Sequence, residues 1–314
     1  MLALYILTYI SFILFVVACI MRANRIASAP LHLRWELYPV PHEKGRAHYG
    51  GSIMEEVDHW EKKQEKDHLG ELKVMIPEII LLKGVWDHNK SLWTGTFPFH
   101  FALYLLIANM IVIAFAAVMQ LTGSTVAPDA GGLMTIAYYL VMALTWVGSI
   151  LGIFGSIRLF FLRLVDKKLA TFATPSHFFN IILIGAMYVT TLIWLIVDPM
   201  FFQNLVGFYA SLFTVSPLEA IPAIGIWHIA TVIFFMAYLP FTHMTHFFTK
   251  YFTYHSVRWE DTPNKPGSKM SEQIGELLNQ PVTWAAPHIG ADGEKTWVAI
   301  ATSNPFKKEE KNDE

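Results

Sequence analysis

Histidine is the residue of this chain with the widest capacity for chemistry, with thirteen copies against a single cysteine, Cys19. Imidazole nitrogen ligates metal ions and haem iron, whereas a disulfide framework, a CxxCH haem-attachment site or a cysteine-ligated iron–sulfur cluster needs more than one cysteine. The composition therefore favours metal or haem ligation by histidine. Any iron–sulfur chemistry must belong to a partner protein.

Five histidines lie within or at the ends of long apolar segments: His100, His177, His228, His243 and His246. On a continuous helix the 18 residues from His228 to His246 make five turns, so both side chains share one face, roughly 27 Å apart. Such a pair suits two stacked haems. His243 lies about 60° off that face and is the alternative ligand. His177 and His243 also suit an interfacial position at a helix end, without ligation.

The segments that carry these histidines are long enough to cross a membrane. Hydrophobic residues make up 54 % of the chain and charged residues 15 %, against about 45–50 % and about 25 % in a typical soluble domain. A helix needs about 20 apolar residues to cross a hydrocarbon core of roughly 30 Å. Five such runs predict an all-α membrane protein with five transmembrane helices, at about residues 2–21, 99–118, 134–154, 178–197 and 221–247.

The basic residues predict the orientation of these spans. All 23 Lys and Arg fall in the loop between the first two spans (11), around the loop between the third and fourth (4) and in the tail from Lys250 (8), and none in the opposite loops. The positive-inside rule therefore places the N-terminus outside and the C-terminus in the cytoplasm. The first run has Arg22 and Arg25 after it and no positive side chain before it, which predicts an uncleaved helix rather than a signal peptide.

These expectations divide the chain into four regions: transmembrane helix 1 at 1–22, a cytoplasmic loop with an interfacial segment at 23–96, a four-helix haem-binding membrane domain at 97–250 and a cytoplasmic tail at 251–314. Residues 72–83 of the loop are apolar, too short to span and interrupted by Pro77. Such a segment is expected to lie on the membrane surface or against a protein. The formal net charge of -2 gives no basic field that would favour nucleic acid.

A stripe of small residues lies in the third span: Gly148, Gly152 and Gly155. The stripe suits either close helix packing or space for the face of a haem. Arg158 and Arg163 at the inner end of this span suit positive-inside anchoring or pairing with haem propionates. Trp194 suits the aromatic belt at the interface.

The spans hold no Asp, Glu or Lys in their middles, which argues against an ion transporter.

The fifth span carries the most specific pattern. It reads WHIATVIFFMAYLPFTHMTH from Trp227 to His246, with a Leu-Pro-Phe-Thr step between two histidines 18 residues apart. This resembles the last helix of the gamma subunit of respiratory nitrate reductase, a dihaem cytochrome b in which two haem-ligating histidines have that spacing. The long cytoplasmic loop is more similar to the cytochrome b subunits of transmembrane redox complexes from sulfate reducers.

The resemblance implies one or two haem b groups. His100 and His246 would hold the haem on the cytoplasmic side. The outer haem would use His228 with Met110, or His228 alone, or be absent, because Met110 stands where the family has a second histidine in span two. Nitrate reductase relatives also place a lysine near the outer quinol pocket, and neither outer loop of this chain contains one.

Histidine ligation and the resemblance together predict an electron-transfer subunit in a bacterial or archaeal cytoplasmic membrane. It would exchange electrons with menaquinol or a periplasmic multihaem cytochrome c outside, and with a cytoplasmic iron–sulfur protein similar to a heterodisulfide reductase subunit inside. The chain would have no substrate chemistry of its own, since haem supplies the redox change. The alternative is a haem-free membrane anchor subunit of a redox complex.

The charge distribution makes the topology testable. Alkaline phosphatase fused after the last residue should be inactive, and a fluorescent protein fused there should be fluorescent, because the tail is expected in the cytoplasm. Enzyme activity and fluorescence of intact cells give the measurement. An active phosphatase fusion would place the tail outside and reverse every loop.

Overall fold

The computed structural model is mostly helical (72 %) and describes residues 1–29, 39–218 and 220–306. Its α-helices are α1 (Leu2–Ala27), α2 (His68–Ile80), α3 (Lys83–His88), α4 (Lys90–Leu121), α5 (Gly132–Val165), α6 (Lys167–Thr171), α7 (Pro175–Val197), α8 (Phe201–Thr214), α9 (Ala223–Tyr238), α10 (His246–Thr253), α11 (Lys269–Leu278) and α12 (Trp297–Ala301). Two short antiparallel strands pair in the tail, β1 (Ala285–Ala286) and β2 (Ala291–Asp292).

Five helical segments of the described chain are long and apolar enough to cross a membrane: α1, α4, α5, α7 and Ala223–Phe241, which is α9 with one further 3-10 turn. The all-α class with five spans is thereby confirmed, and the chain is a multi-pass membrane protein. With 32 and 34 residues, α4 and α5 are longer than a hydrocarbon core of roughly 30 Å requires, so their ends continue beyond it.

The fifth span ends earlier than the sequence predicted. One continuous helix over 221–247 was expected, whereas α9 ends at Tyr238 and is followed by 3-10 turns at Leu239–Phe241 and His243–Thr245. Pro240 has no N–H to donate to the helix, and Thr242 is extended, with φ -116° and ψ 173°. The expectation that His228 and His246 share one helical face is therefore wrong, because the residues between them are not continuously α-helical.

Contacts divide the chain into two units, one of Met1–Ile20 with Met75–Thr245 and one of Met21–Val74 with His246–Glu314. In the first unit α5 packs against both α4 and α7, and α7 packs against α9. A Cβ atom on Gly155 would lie 2.5 Å from the backbone nitrogen of Phe99, and one on Gly152 would lie 2.3 Å from the Tyr188 ring. The glycine stripe therefore serves close helix packing, not an open face for a haem.

The loop after α7 contains a helix that the sequence analysis did not anticipate. α8 packs against α4, and Phe202, Leu205 and Val206 on it are buried. With 14 residues α8 is too short to span. Tyr5 of α1 hydrogen-bonds to Ser211 at 2.6 Å, which fixes the start of α1 to α8.

The apolar segment after residue 71 forms surface helices. Pro77 lies inside α2 and does not interrupt it, contrary to the expectation, because only the bond to the carbonyl four residues earlier is lost. No residue of α2 is buried, and the exposed side chains Ile76 and Ile79 are about half accessible, at 49 % and 44 %. The Tyr104 hydroxyl on α4 donates to the Ile79 carbonyl at 2.7 Å, which ties this surface segment to the membrane helices.

Two histidine–carboxylate pairs connect distant segments within the second unit. His42 and Asp261 are 2.9 Å apart, and His255 and Glu71 are 2.7 Å apart. The His42 and His255 rings are nearly parallel, at 5°, with centroids 6.5 Å apart. Each pair ties the segment before α2 or its first turn to the residues that follow α10.

The glycine packing predicts a selective effect of a single methyl group. Gly155→Ala should lower the free energy of unfolding by about 1–3 kcal/mol, because the Phe99 backbone cannot move away from the new Cβ. Gly148→Ala is the matched control, since its Cβ would lie at an ordinary 3.6 Å from Leu105. Unfolding in mixed detergent, followed by circular dichroism, measures both. Equal stabilities of the two variants would contradict the packing.

The His42–Asp261 pair predicts a pH-dependent stability of the second unit. The hydrogen bond that the His42 ring donates to the Asp261 carboxylate raises the pKa of His42 above its usual value. The stabilisation is therefore complete below about pH 6.5, the ordinary pKa of histidine, and is lost as the pH rises through the raised value. Limited proteolysis of the tail should accelerate between pH 6 and pH 8.5 in the wild type. In His42→Gln this pH dependence should be smaller, while His48→Gln, at an exposed position, should behave as the wild type.

Candidate functional site

His228 on α9 faces α7 and is held by two hydroxyl groups. Its Nδ1 lies 3.2 Å from the Oγ1 atoms of both Thr190 and Thr191. Both hydroxyl groups donate their protons to backbone carbonyls of their own helix, at 2.7–2.8 Å. The threonine oxygens therefore accept from His228, which carries its proton on Nδ1 and the lone pair on Nε2. This is the tautomer of a metal-ligating histidine whose other nitrogen donates to a second group.

A buried polar network adjoins His228, and the sequence analysis missed it. The Trp194 ring lies 5.8 Å from the His228 ring and is fully buried, not in an interfacial belt as expected. Its indole N–H donates to Asp198 at 2.8 Å, and the same carboxylate oxygen accepts from Asn204 at 2.8 Å. Asp198 is only 8 % exposed. The sequence indicates part of this network, because Trp194 and Asp198 are four residues apart and so lie on one helical face.

Met110 and His228 have different surroundings in the structure. Met110 is 41 % exposed on α4, while its neighbour Asn109 is buried and donates to Thr145 of α5 at 2.9 Å. Met110 therefore points away from the interface between α4 and α5. His228 makes its hydrogen bonds with α7, and their pairing across a haem iron stays a prediction.

His100 lies in the first half of α4 and is half-buried. Its Nδ1 donates to the Thr96 carbonyl at 2.8 Å, because a carbonyl can only accept. The neutral ring then has its lone pair on Nε2. His100 thus shows the same tautomer as His228, on another membrane helix.

His177 and His243 are the two sequence-predicted residues that the structure brings together. Their ring centroids lie 4.7 Å apart, and Asn180 Nδ2 is 3.4 Å from His243 Nε2. A haem held by both residues would have to lie between their rings. Rings in direct contact leave no space for a macrocycle, so this pair does not fit a shared haem.

His246 lies outside the fifth candidate span, at the start of α10. It belongs to the second unit, while His100 belongs to the first. Their expected pairing on the cytoplasmic-side haem therefore stays a prediction.

The donor chemistry of the membrane histidines fits haem b. His100 and His228 each direct Nδ1–H to an oxygen, and the lone pair on Nε2 is the donor that would hold haem iron. The described residues contain no group of three or more His, Cys, Asp or Glu that could hold a metal ion by themselves. A cofactor that brings its own equatorial ligands fits this donor set better than a bare ion does.

Comparisons with known proteins add no family assignment. No family model, no curated protein and no solved structure matches the chain.

Proposed function

We propose that this chain is a haem b-containing membrane subunit that transfers electrons between the two faces of a bacterial or archaeal cytoplasmic membrane. The outer partner is menaquinol or a periplasmic multihaem cytochrome c, and the inner partner is a cytoplasmic iron–sulfur protein similar to a heterodisulfide reductase subunit. The proposal includes membership of the cytochrome b superfamily of the nitrate reductase gamma subunit, close to the sulfate-reducer redox complexes. It also includes the orientation with the N-terminus outside and the C-terminus in the cytoplasm.

One observation carries the haem proposal: two histidines on different membrane helices have Nδ1 engaged as a donor and the lone pair on Nε2. Two hydroxyl acceptors on α7 fix the orientation of His228, and a backbone carbonyl fixes that of His100. A carbonyl or hydroxyl acceptor on Nδ1 increases the basicity of the ligating nitrogen. Bound haem supplies a one-electron redox change at such sites.

The order of the candidate spans supports sites for the two histidines near opposite sides of the membrane. α4, α5, α7 and α9 are consecutive spans, so α4 and α9 begin on opposite sides. His100 lies in the first half of α4 and His228 in the first half of α9. Electron movement between sites at these depths would carry charge across the bilayer and respond to the membrane potential.

The decisive measurement is the haem content of the purified chain. A pyridine haemochrome assay should give one or two haem b per polypeptide. His228→Ala and His100→Ala should each lower the haem content or change low-spin spectra to high-spin, while His88→Ala, at an exposed position on α3, should leave the spectrum unchanged. His246→Ala and His243→Ala, measured in parallel, test which of the two is a ligand.

A second variant distinguishes ligation from a structural role of His228. The double substitution Thr190→Val and Thr191→Val removes the acceptors of the His228 proton while keeping similar volume. Weaker electron donation by the imidazole should raise the reduction potential of the associated haem. A potential equal to that of the wild type would argue against ligation by His228.

The alternative is a haem-free membrane anchor of a redox complex. It predicts a stably inserted chain whose spectrum has no b-type bands, even when expressed with added haem. That result would remove the electron-transfer proposal and leave the anchor role.

A further inference from the structure

An arginine at the end of α5 has a buried atom without a partner. The Nε atom of Arg163 is inaccessible to solvent and makes no hydrogen bond within the described residues. None of the ion pairs among those residues involves Arg163. The guanidinium group is always charged, and an inaccessible Nε without an acceptor is costly at the end of a membrane helix. The described residues therefore supply no counterion for Arg163. An anion from another molecule would fill this role.

Arg163 lies at the same end of the bundle as the first turn of α7. Phe160, one turn before it, contacts Phe178 with ring centroids 5.4 Å apart. Next to Phe178, His177 accepts from the Thr174 backbone N–H at 3.0 Å through Nδ1. A neutral His177 therefore carries its proton on Nε2 and has a donor to offer.

A second unpartnered polar atom lies in the same region. Asn180 is only 4 % exposed, and its Oδ1 has no hydrogen-bond partner among the described residues. Its amide contacts His243 at 3.4 Å. The oxygen and nitrogen of an Asn side-chain amide exchange places when the amide group is turned over. In the exchanged orientation, Oδ1 of Asn180 accepts from His243, and the unpartnered atom is an N–H donor. Asn180, one turn after His177 on α7, can then offer a donor near the first turn of that helix.

From this arrangement we propose that Arg163, His177 and Asn180, with His243 behind them, bind one oxyanion, a phosphate or a carboxylate. Arg163 and His177 supply N–H groups, and the positive end of α7 favours negative charge at its first turn. Asn180 supplies a third N–H group. The exposed Lys167 and Lys168 on α6 extend the positive field at this end of the bundle.

Two sources can supply such an oxyanion at the end of membrane helices. One is the phosphate of a phospholipid headgroup, because helix ends of this kind lie at headgroup depth. The other is a propionate of bound haem, and only this source rests on the proposed function. The lipid source is independent of haem, so the two proposals can fail separately.

The first experiment measures lipid retention by the purified full chain with native mass spectrometry. Phosphatidylglycerol should be retained, and diacylglycerol, which has the same tails without phosphate, should not. Arg163→Gln should weaken phosphatidylglycerol binding by about ten-fold, the loss expected for a charge-assisted hydrogen bond. Arg158→Gln is the matched control, because Arg158 lies at the same end of α5 and already contacts Ser91 and Thr94.

The second experiment tests the propionate source with haem and its dimethyl ester. If a propionate occupies the site, the ester should bind the wild type more weakly than haem, and Arg163→Gln should abolish that difference. Asn180→Asp, which adds a negative charge to the site, should weaken whichever oxyanion binds. Should Arg163→Gln fail to fold, the wild-type comparison of each ligand pair still decides.

Equal retention of phosphatidylglycerol and diacylglycerol, with no effect of esterification, would overturn the oxyanion site. A chain that binds no haem but prefers phosphatidylglycerol would retain the site and remove only the haem proposal. The reverse result, a propionate effect without lipid preference, would assign the site to haem.

Discussion

Hydrocarbon offers no hydrogen-bond partner, and this constraint determines how the membrane helices of this protein associate. A buried polar side chain is therefore stabilised by a partner on another helix or on its own backbone. Asn109 of α4 meets Thr145 of α5, and His228 of α9 meets the two threonines of α7. Tyr5 of α1 meets Ser211 of α8. These three helix pairs are thus joined by polar contacts, which fix the rotation of the helices about their axes.

The same constraint explains the end of the fifth span. Pro240 removes one backbone donor, and the chain leaves the α-helix within a few residues. The groups released there are satisfied locally: the Thr242 N–H donates to the Leu239 carbonyl at 3.1 Å, and the Met244 N–H donates to the Thr242 hydroxyl at 3.1 Å. Met244 is buried as a result, and His243 reaches the first turn of α7. The break therefore lets His243 contact His177. On a straight helix, the position of His243 would have followed from the helical periodicity alone.

The five spans could be predicted from the sequence, because a run of about 20 apolar residues has no other stable conformation in a bilayer. The end of span five could not, since proline is often tolerated inside membrane helices and only the surrounding contacts decide whether the helix continues.

α8 was missed for a related reason. Its 14 residues are too few for a span, and its helical face is defined by burial against α1 and α4, which are far away in sequence. The candidate site was predictable as far as the residue type of His100 and His228. Their tautomers were not, because those depend on Thr96, Thr190 and Thr191, whose hydrogen bonds only the folded backbone creates.

The position of α8 bears on how an outer partner would reach His228 under the proposed function. The Trp194 ring lies close to both the His228 ring and the ring of Phe201, the first residue of α8, with centroids 5.8 Å and 5.1 Å apart. Trp194 is fully buried and Phe201 is 2 % exposed. An outer donor that docks at this end therefore meets a layer of buried aromatic rings before it meets the imidazole. Such a layer excludes water and keeps the surroundings of His228 at low dielectric, while Asp198 holds the Trp194 indole in place. Electron exchange at the outer face would then pass through this aromatic layer rather than by direct contact with His228.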